Sequence, residues 1–114
     1  MPVLKIQTNV VIAEEAKKKL LQDSSAKVAA MLGKPERYVM VMIESNPNML
    51  FAADNSPLAY MELKSIGLPG DQTSAFSEAL SKLVQQQLSI PPDRVYIEFA
   101  NAERHMWGWS GGTF

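Results

Sequence analysis

Polar and apolar positions change period several times along the chain. From Pro2 to Val10 they alternate, with Leu4, Ile6, Thr8 and Val10 on one face and Lys5, Gln7 and Asn9 on the other. That alternation predicts a half-buried strand. From Glu14 the period lengthens: Ala16, Leu20, Ser24, Val28 and Met31 recur at helical spacing, and Leu21 and Leu32 widen the stripe. Glu14 and Glu15 would stand in the first turn of this helix, where its dipole favours them. Gly33 followed by Pro35 is a stop signal. Residues 38–45, Tyr-Val-Met-Val-Met-Ile-Glu-Ser, are apolar on both faces as far as Glu44, which predicts a strand covered on both sides.

Residues 46–57 carry loop signals, Asn-Pro-Asn and Asp-Asn-Ser-Pro, around Met49-Leu50-Phe51, which reads as a short strand or a lip over a site. A second strand, helix and strand then follow. Residues 58–66 predict a strand. Gly67-Leu68-Pro69-Gly70-Asp71 reads as a turn ending in a helix cap. Phe76, Ala79, Leu80, Leu83, Val84 and Leu88 form a helical stripe stopped by Pro91-Pro92, and Val95 to Ala100 forms another strand. Pro35-Glu36-Arg37-Tyr38-Val39 and Pro92-Asp93-Arg94-Val95-Tyr96 repeat one pattern at the two helix-to-strand junctions. The chain therefore reads as two tandem βαβ units. Each crossover is expected to be right-handed, and the two units together give a four-stranded mixed sheet with both helices on one face, an α+β fold. The opposite face holds Lys5, Glu62, Lys64 and Glu98 among apolar residues. It meets solvent or lines a shared watered space in an oligomer.

At 114 residues the chain is expected to be one domain, 1–114, and at 46% hydrophobic and 20% charged it has the balance of a soluble globule. A net charge of -1 disfavours nucleic acid, where affinity rests on lysine and arginine against phosphate. The run Lys17-Lys18-Lys19 reads as a solvated helix face. With no cysteine there are no disulfides, thiolate nucleophiles or cysteine metal sites, and His105 is the only histidine. No metal site and no cofactor are expected. No leader pattern and no run of apolar residues long enough to span a membrane stands out. The expected location is the cytoplasm, or outside the cell by an unconventional export route.

Chemistry is concentrated at Met1-Pro2. Trimming of the methionine would leave a free N-terminal proline, a secondary amine whose ordinary pKa lies near that of an α-amino group, about 7.7–8.0. Apolar burial or a nearby lysine lowers that value and brings the amine into range as a base for a proton next to a carbonyl. The strand that follows at once would hold this end in place. The stretch from His105 to Phe114 adds Trp107, Trp109 and a terminal phenylalanine, which pack on a neighbouring subunit, close a pocket or fill the core.

The ordered set Pro2, Gln7-Thr8-Asn9-Val10, Gly33-Lys34-Pro35, Ser65-Ile66-Gly67, Pro92-Asp93-Arg94-Val95-Tyr96-Ile97, Gly108-Trp109 and Thr113-Phe114 resembles the macrophage migration inhibitory factor family of the tautomerase superfamily. The resemblance runs the whole length. It implies a homotrimer with active sites at subunit boundaries and keto–enol tautomerisation of phenylpyruvate-like acids, in some members of dopachrome-like compounds. By position Pro2 is similar to the catalytic base. Lys34 and the backbone N–H of Ile66 match the substrate-binding groups, and Tyr96 of an adjacent subunit matches the aromatic wall, with Trp109 and Phe114 near it. Taken alone, Lys34 reads as a helix C-terminal lysine, Tyr96 as core and Ile66 as a strand end.

Departures from the family pattern narrow these implications. Leu58 and Met61 stand where the mammalian cytokine has a Cys-x-x-Cys pair, so thiol oxidoreductase activity does not carry over. Glu98 replaces an asparagine two residues past the tyrosine, where a carboxylate repels an acidic substrate or raises the Pro2 pKa. Ile12 and Asn46 replace residues linked to chemokine-receptor binding. The arginine pair of the superfamily's dehalogenases is missing from Leu68 to Ala75. The competing reading is a cytokine-like or scaffold binding protein with a vestigial pocket.

Overall fold

Two parallel strand pairs, set antiparallel to each other, make the frame. The computed structural model describes residues 1–114. Strand β1 (Val3–Thr8) leads through helix α1 (Glu14–Leu32) to strand β2 (Met40–Ser45), parallel to it; strand β3 (Ala59–Ile66), helix α2 (Thr73–Leu88) and strand β4 (Val95–Ala102) repeat the motif. β1 and β3 pair antiparallel, which gives the order β2-β1-β3-β4. The mixed four-stranded sheet expected from the duplicated pattern is therefore present. A small hairpin of β5 (Gly108–Trp109) and β6 (Gly112–Thr113) follows.

Residues directly opposite on neighbouring strands share a face. One face stacks the row Val41, Leu4, Leu63, Phe99 on the row Ile43, Ile6, Met61, Ile97. Leu4, Ile6, Met61 and Leu63 are fully buried and join Leu20 and Val28 of α1 and Phe76, Leu80 and Val84 of α2 in one cluster. Each such side chain removed from water contributes about 1.5–3 kcal/mol, so both helices are held on this face. The opposite face carries the row Met40, Val3, Lys64, Ala100, then Met42, Lys5, Glu62, Glu98, then Glu44, Gln7, Tyr60, Tyr96. Every residue in those rows is exposed or half-buried.

Several expectations are corrected in detail. Residues 38–45 are not one strand covered on both sides: Tyr38 belongs to a 3-10 turn, Glu36–Tyr38, and β2 is an edge strand whose Met40 is 57% exposed. That side of it is only partly covered in one protomer, Met42 being 39% exposed. β1 stops at Thr8 because the Thr8 hydroxyl turns the chain, donating to the Leu58 carbonyl at 2.7 Å and accepting from Val10 N–H at 3.1 Å. Asp71 does not cap α2. A 3-10 turn, Gly70–Gln72, comes first and leads into the helix at Thr73. Ala16 is exposed rather than part of the buried stripe, and β4 runs on to Ala102.

The segment Met49-Leu50-Phe51 forms a lip. Phe51 and Asp54 exchange backbone hydrogen bonds of 3.1 and 3.0 Å across Ala52 and Ala53, whose φ angles are 55° and 58°. Left-handed backbone costs a non-glycine residue roughly 1–2 kcal/mol, so this tight turn is held by something outside itself.

Candidate active site

Pro2 lies at one end of the sheet, against the ends of two other elements. The Pro2 carbonyl accepts from Met40 N–H at 3.0 Å, the start of the β1–β2 ladder. Val3 is the last residue paired with β3, opposite Lys64, so Ser65 and Ile66 run past β1 at the same end. The Pro2 ring is fully buried. It borders a cavity of about 240 Å³ with Met1, Tyr38, Met40, Trp109 and Phe114.

Local sequence explains how Lys34 reaches this place. Gly33 adopts the left-handed conformation (φ 61°) that glycine tolerates without strain, and it ends α1. Lys34 N–H then closes on the Ala29 carbonyl at 3.1 Å, and the chain leaves through Pro35. The Lys34 ammonium turns toward the end of β3: a Cβ added to Gly67 would lie 4.0 Å from Lys34 Nζ. The Met1 amino group donates to the Tyr38 carbonyl at 3.2 Å. Burial holds its pKa below the ordinary value, and the charge of Lys34 pushes it the same way. The sheet end therefore favours an uncharged amine beside a cation.

The far wall is aromatic. The hairpin turns through Ser110 (φ 53°) and Gly111 (φ 78°), the left-handed pair that two-residue hairpins use. This brings Trp109 back onto Phe114, stacked at 5.3 Å, and both rings meet Tyr38 edge-on at 5.8 Å. Phe114 N–H is tied to the Trp107 carbonyl at 3.2 Å. Arg37 lies 4.8 Å over the Tyr38 ring.

Of the residues singled out in the sequence, Pro2, Trp109 and Phe114 thus line one cavity, and Lys34 and Ile66 lie at its end of the sheet. Tyr96 and Glu98 do not join them within the protomer. Tyr96 pairs with Tyr60, which pairs with Gln7, five residues beyond Pro2 and so roughly 16 Å along the strands. Tyr96 is 66% exposed on the open face, and its ring packs at 4.6 Å against Phe51. Glu98 lies opposite Glu62, and the Tyr60 hydroxyl bridges both carboxylates at 3.2 and 3.4 Å. Burial and then the Glu62 and Glu98 charges hold the Tyr60 pKa up, so this phenol keeps its proton. Sequence reasoning missed Tyr38, which it assigned to a strand. The signal was its place four residues after Lys34, across a proline, at the junction the duplicated pattern had marked.

No helix is long and apolar enough to cross a membrane, and no cluster of three or more His, Cys, Asp or Glu is placed to hold a metal ion.

Comparison with known proteins adds a second line of observation. The family model described as macrophage migration inhibitory factor matches residues 1–114. A macrophage migration inhibitory factor homolog from Brugia malayi is 36% identical over all of this chain and 99% of its own length. The mouse macrophage migration inhibitory factor is 35% identical with the same coverage. Among solved structures, the homologue from Prochlorococcus marinus superposes with a TM-score of 0.92 at 42% identity, covering 98% of both chains.

Proposed function

The chain belongs to the macrophage migration inhibitory factor family, within the tautomerase superfamily, and from that membership we propose that it is a keto–enol tautomerase, an isomerase of phenylpyruvate-like arylpyruvates, with dopachrome-like compounds as a further substrate class. Residues 1–114 would act as one domain, without a cofactor, in a cytosolic homotrimer. The observation that carries the reading is the buried Pro2 ring beside a cavity that Met1 also lines, where burial and Lys34 favour a neutral amine.

Removal of Met1 would do two things at once. It would vacate part of the cavity, and it would turn the Pro2 nitrogen into a secondary amine facing that space. One residue further in than the Met1 amino group, this nitrogen would meet burial and the Lys34 charge in its turn. In the forward step the amine takes a proton from the carbon next to the substrate carbonyl. The C–H electrons form the C=C bond, and the carbonyl oxygen gains negative charge. The prolinium then gives a proton to that oxygen, which leaves the enol and a neutral base.

The other residues hold the substrate. Lys34 would pair with its carboxylate, and the Ile66 N–H would face the oxygen where charge develops; donors fixed in a partly dry site act most strongly there. Trp109 and Phe114, with Tyr38, would flank the aryl ring. Tyr96 and Glu98 would come from a neighbouring protomer, since their own Pro2 is out of reach along the strands.

Turnover of phenylpyruvate by the unsubstituted protein and by Pro2→Gly tests this. Loss of a general base lowers the rate by about 10²- to 10⁴-fold; equal rates would remove Pro2 from the mechanism. The mass of the N-terminus belongs to the same experiment. The competing reading, a cytokine-like or scaffold trimer with a vestigial pocket, takes its support from Met1 bordering the cavity. A retained methionine would keep the proline nitrogen acylated and favour that reading.

A further inference from the structure

Arg94 is tied to the lip between β2 and β3 by every donor-bearing nitrogen it has. Its Nη1 donates to the Phe51 carbonyl at 2.8 Å, Nη2 to the Asp54 and Ser56 carbonyls at 2.9 Å each, and Nε to the Pro57 carbonyl at 3.3 Å. None of the five ion pairs in the protomer involves Arg94. The guanidinium is matched to carbonyl dipoles around the left-handed Ala52-Ala53 turn. A planar fork can satisfy four converging carbonyls at once; the compact ammonium of a lysine cannot. The same guanidinium carbon lies 5.3 Å from the centre of the Phe51 ring, and Phe51 packs at 4.6 Å on Tyr96. The Tyr96 hydroxyl has no hydrogen-bond partner in the protomer. Its ring stands out into an apolar cavity of about 300 Å³ bordered by Met49, Leu50, Phe51 and Tyr60. Phe51 is the ring that packs on it, and the clamped lip carries Phe51.

From this chain of contacts we infer that Arg94 is a positioning residue for the tautomerase reaction: by clamping the 51–57 lip through Phe51, it sets the angle at which Tyr96 is offered to a neighbouring protomer's site. The inference rests on the proposed function for the role of Tyr96, and on the geometry alone for how Tyr96 is held. It assigns work to a residue that touches neither the Pro2 cavity nor any substrate group.

The test joins a spectroscopic readout to a kinetic cycle, both on the full chain. In Arg94→Met, the Tyr96 ring signals, assigned by Tyr96→Phe, are expected to lose the shift imposed by the Phe51 ring current. KM for phenylpyruvate is expected to rise by about three- to tenfold while kcat stays within about twofold, the mark of lost ground-state placement rather than lost chemistry. In a Tyr96→Ala background the same substitution is expected to leave KM unchanged, because residues that act through one another are not additive. Arg94→Lys is expected to restore part of the ring shift. If Arg94→Met fails to fold, Arg94→Lys, which keeps the charge but cannot reach four carbonyls at once, is read in its place and is expected to show both signatures in weaker form. A merely structural role would lower the active fraction with KM unmoved, and would overturn the inference. So would an unmoved Tyr96 signal, or an equal rise in KM with and without Tyr96. The ring signal needs no turnover. If Pro2→Gly shows that the tautomerase reading is wrong, that signal still decides whether Arg94 places Tyr96.

Discussion

In the proposed site Lys34 and Glu98 would act on the base with opposite signs. The cation beside the amino terminus disfavours the protonated amine, as it does for the Met1 amino group, so Lys34→Ala is expected to raise the pKa of the Pro2 amine. If the proposed trimer brings the Glu98 carboxylate to this base, it favours the protonated form, so Glu98→Gln is expected to lower the pKa. The base must be neutral to act. The acid limb of kcat/KM against pH should therefore move to higher pH in the first variant and to lower pH in the second. A limb that stays put in both would detach these residues from the base. The lowered amino-terminal pKa also bears on stability. Between the folded and unfolded pKa values the unfolded chain binds more protons, so stability rises with pH across that window and falls as pH drops through the folded value.

At the scale of the element, α1 carries an avoidable cost. Its buried stripe is Leu20, Ser24 and Val28, and the Ser24 hydroxyl has no hydrogen-bond partner. A buried polar group left unmatched costs about 1–3 kcal/mol. Ser24→Ala is expected to raise the thermal midpoint by several degrees; an unchanged or lower midpoint would mean that the hydroxyl finds a partner. Elements were the most legible part of the chain, because a period of two or of 3.6 survives in the order of side chains. Leu4, Ile6 and Thr8 alternated in the sequence and are buried in the fold. The start of α2 was less legible. The 3-10 turn at Gly70–Gln72 replaces a side-chain cap with the Gln72 N–H bond to the Pro69 carbonyl at 3.1 Å, and nothing in the composition distinguishes the two. Arg94 was legible as part of a repeated junction but not as a clamp, since its four acceptors are backbone atoms that every sequence possesses.

The whole molecule explains why β2 misled. Met40 and Met42 are apolar on the side that one protomer leaves partly exposed, the side that the proposed trimer would cover. The protomer exposes 6645 Å², above the roughly 6200 Å² expected of a monomer of this mass. Its radius of gyration of 14.3 Å exceeds the roughly 13 Å of a compact chain this long. Leu50, 69% exposed at the lip, is the place to test assembly without touching the Pro2 cavity. Leu50→Asp is expected to give monomers by sedimentation, with native circular dichroism and with KM for phenylpyruvate raised at least as far as in Tyr96→Ala, because Tyr96 and Pro2 of one protomer stand too far apart. Full activity in a monomer would exclude a site shared between protomers.

Phe114 and Met1 border the same 240 Å³ cavity. Residues at both ends of the fold are thus spent on its walls. An affinity tag or fluorescent partner joined ahead of Met1 would plug the space, and one joined behind Phe114 would pull on the stacked indole. A label is better carried on the outer surface of α2, where Glu78 and Lys82 face water.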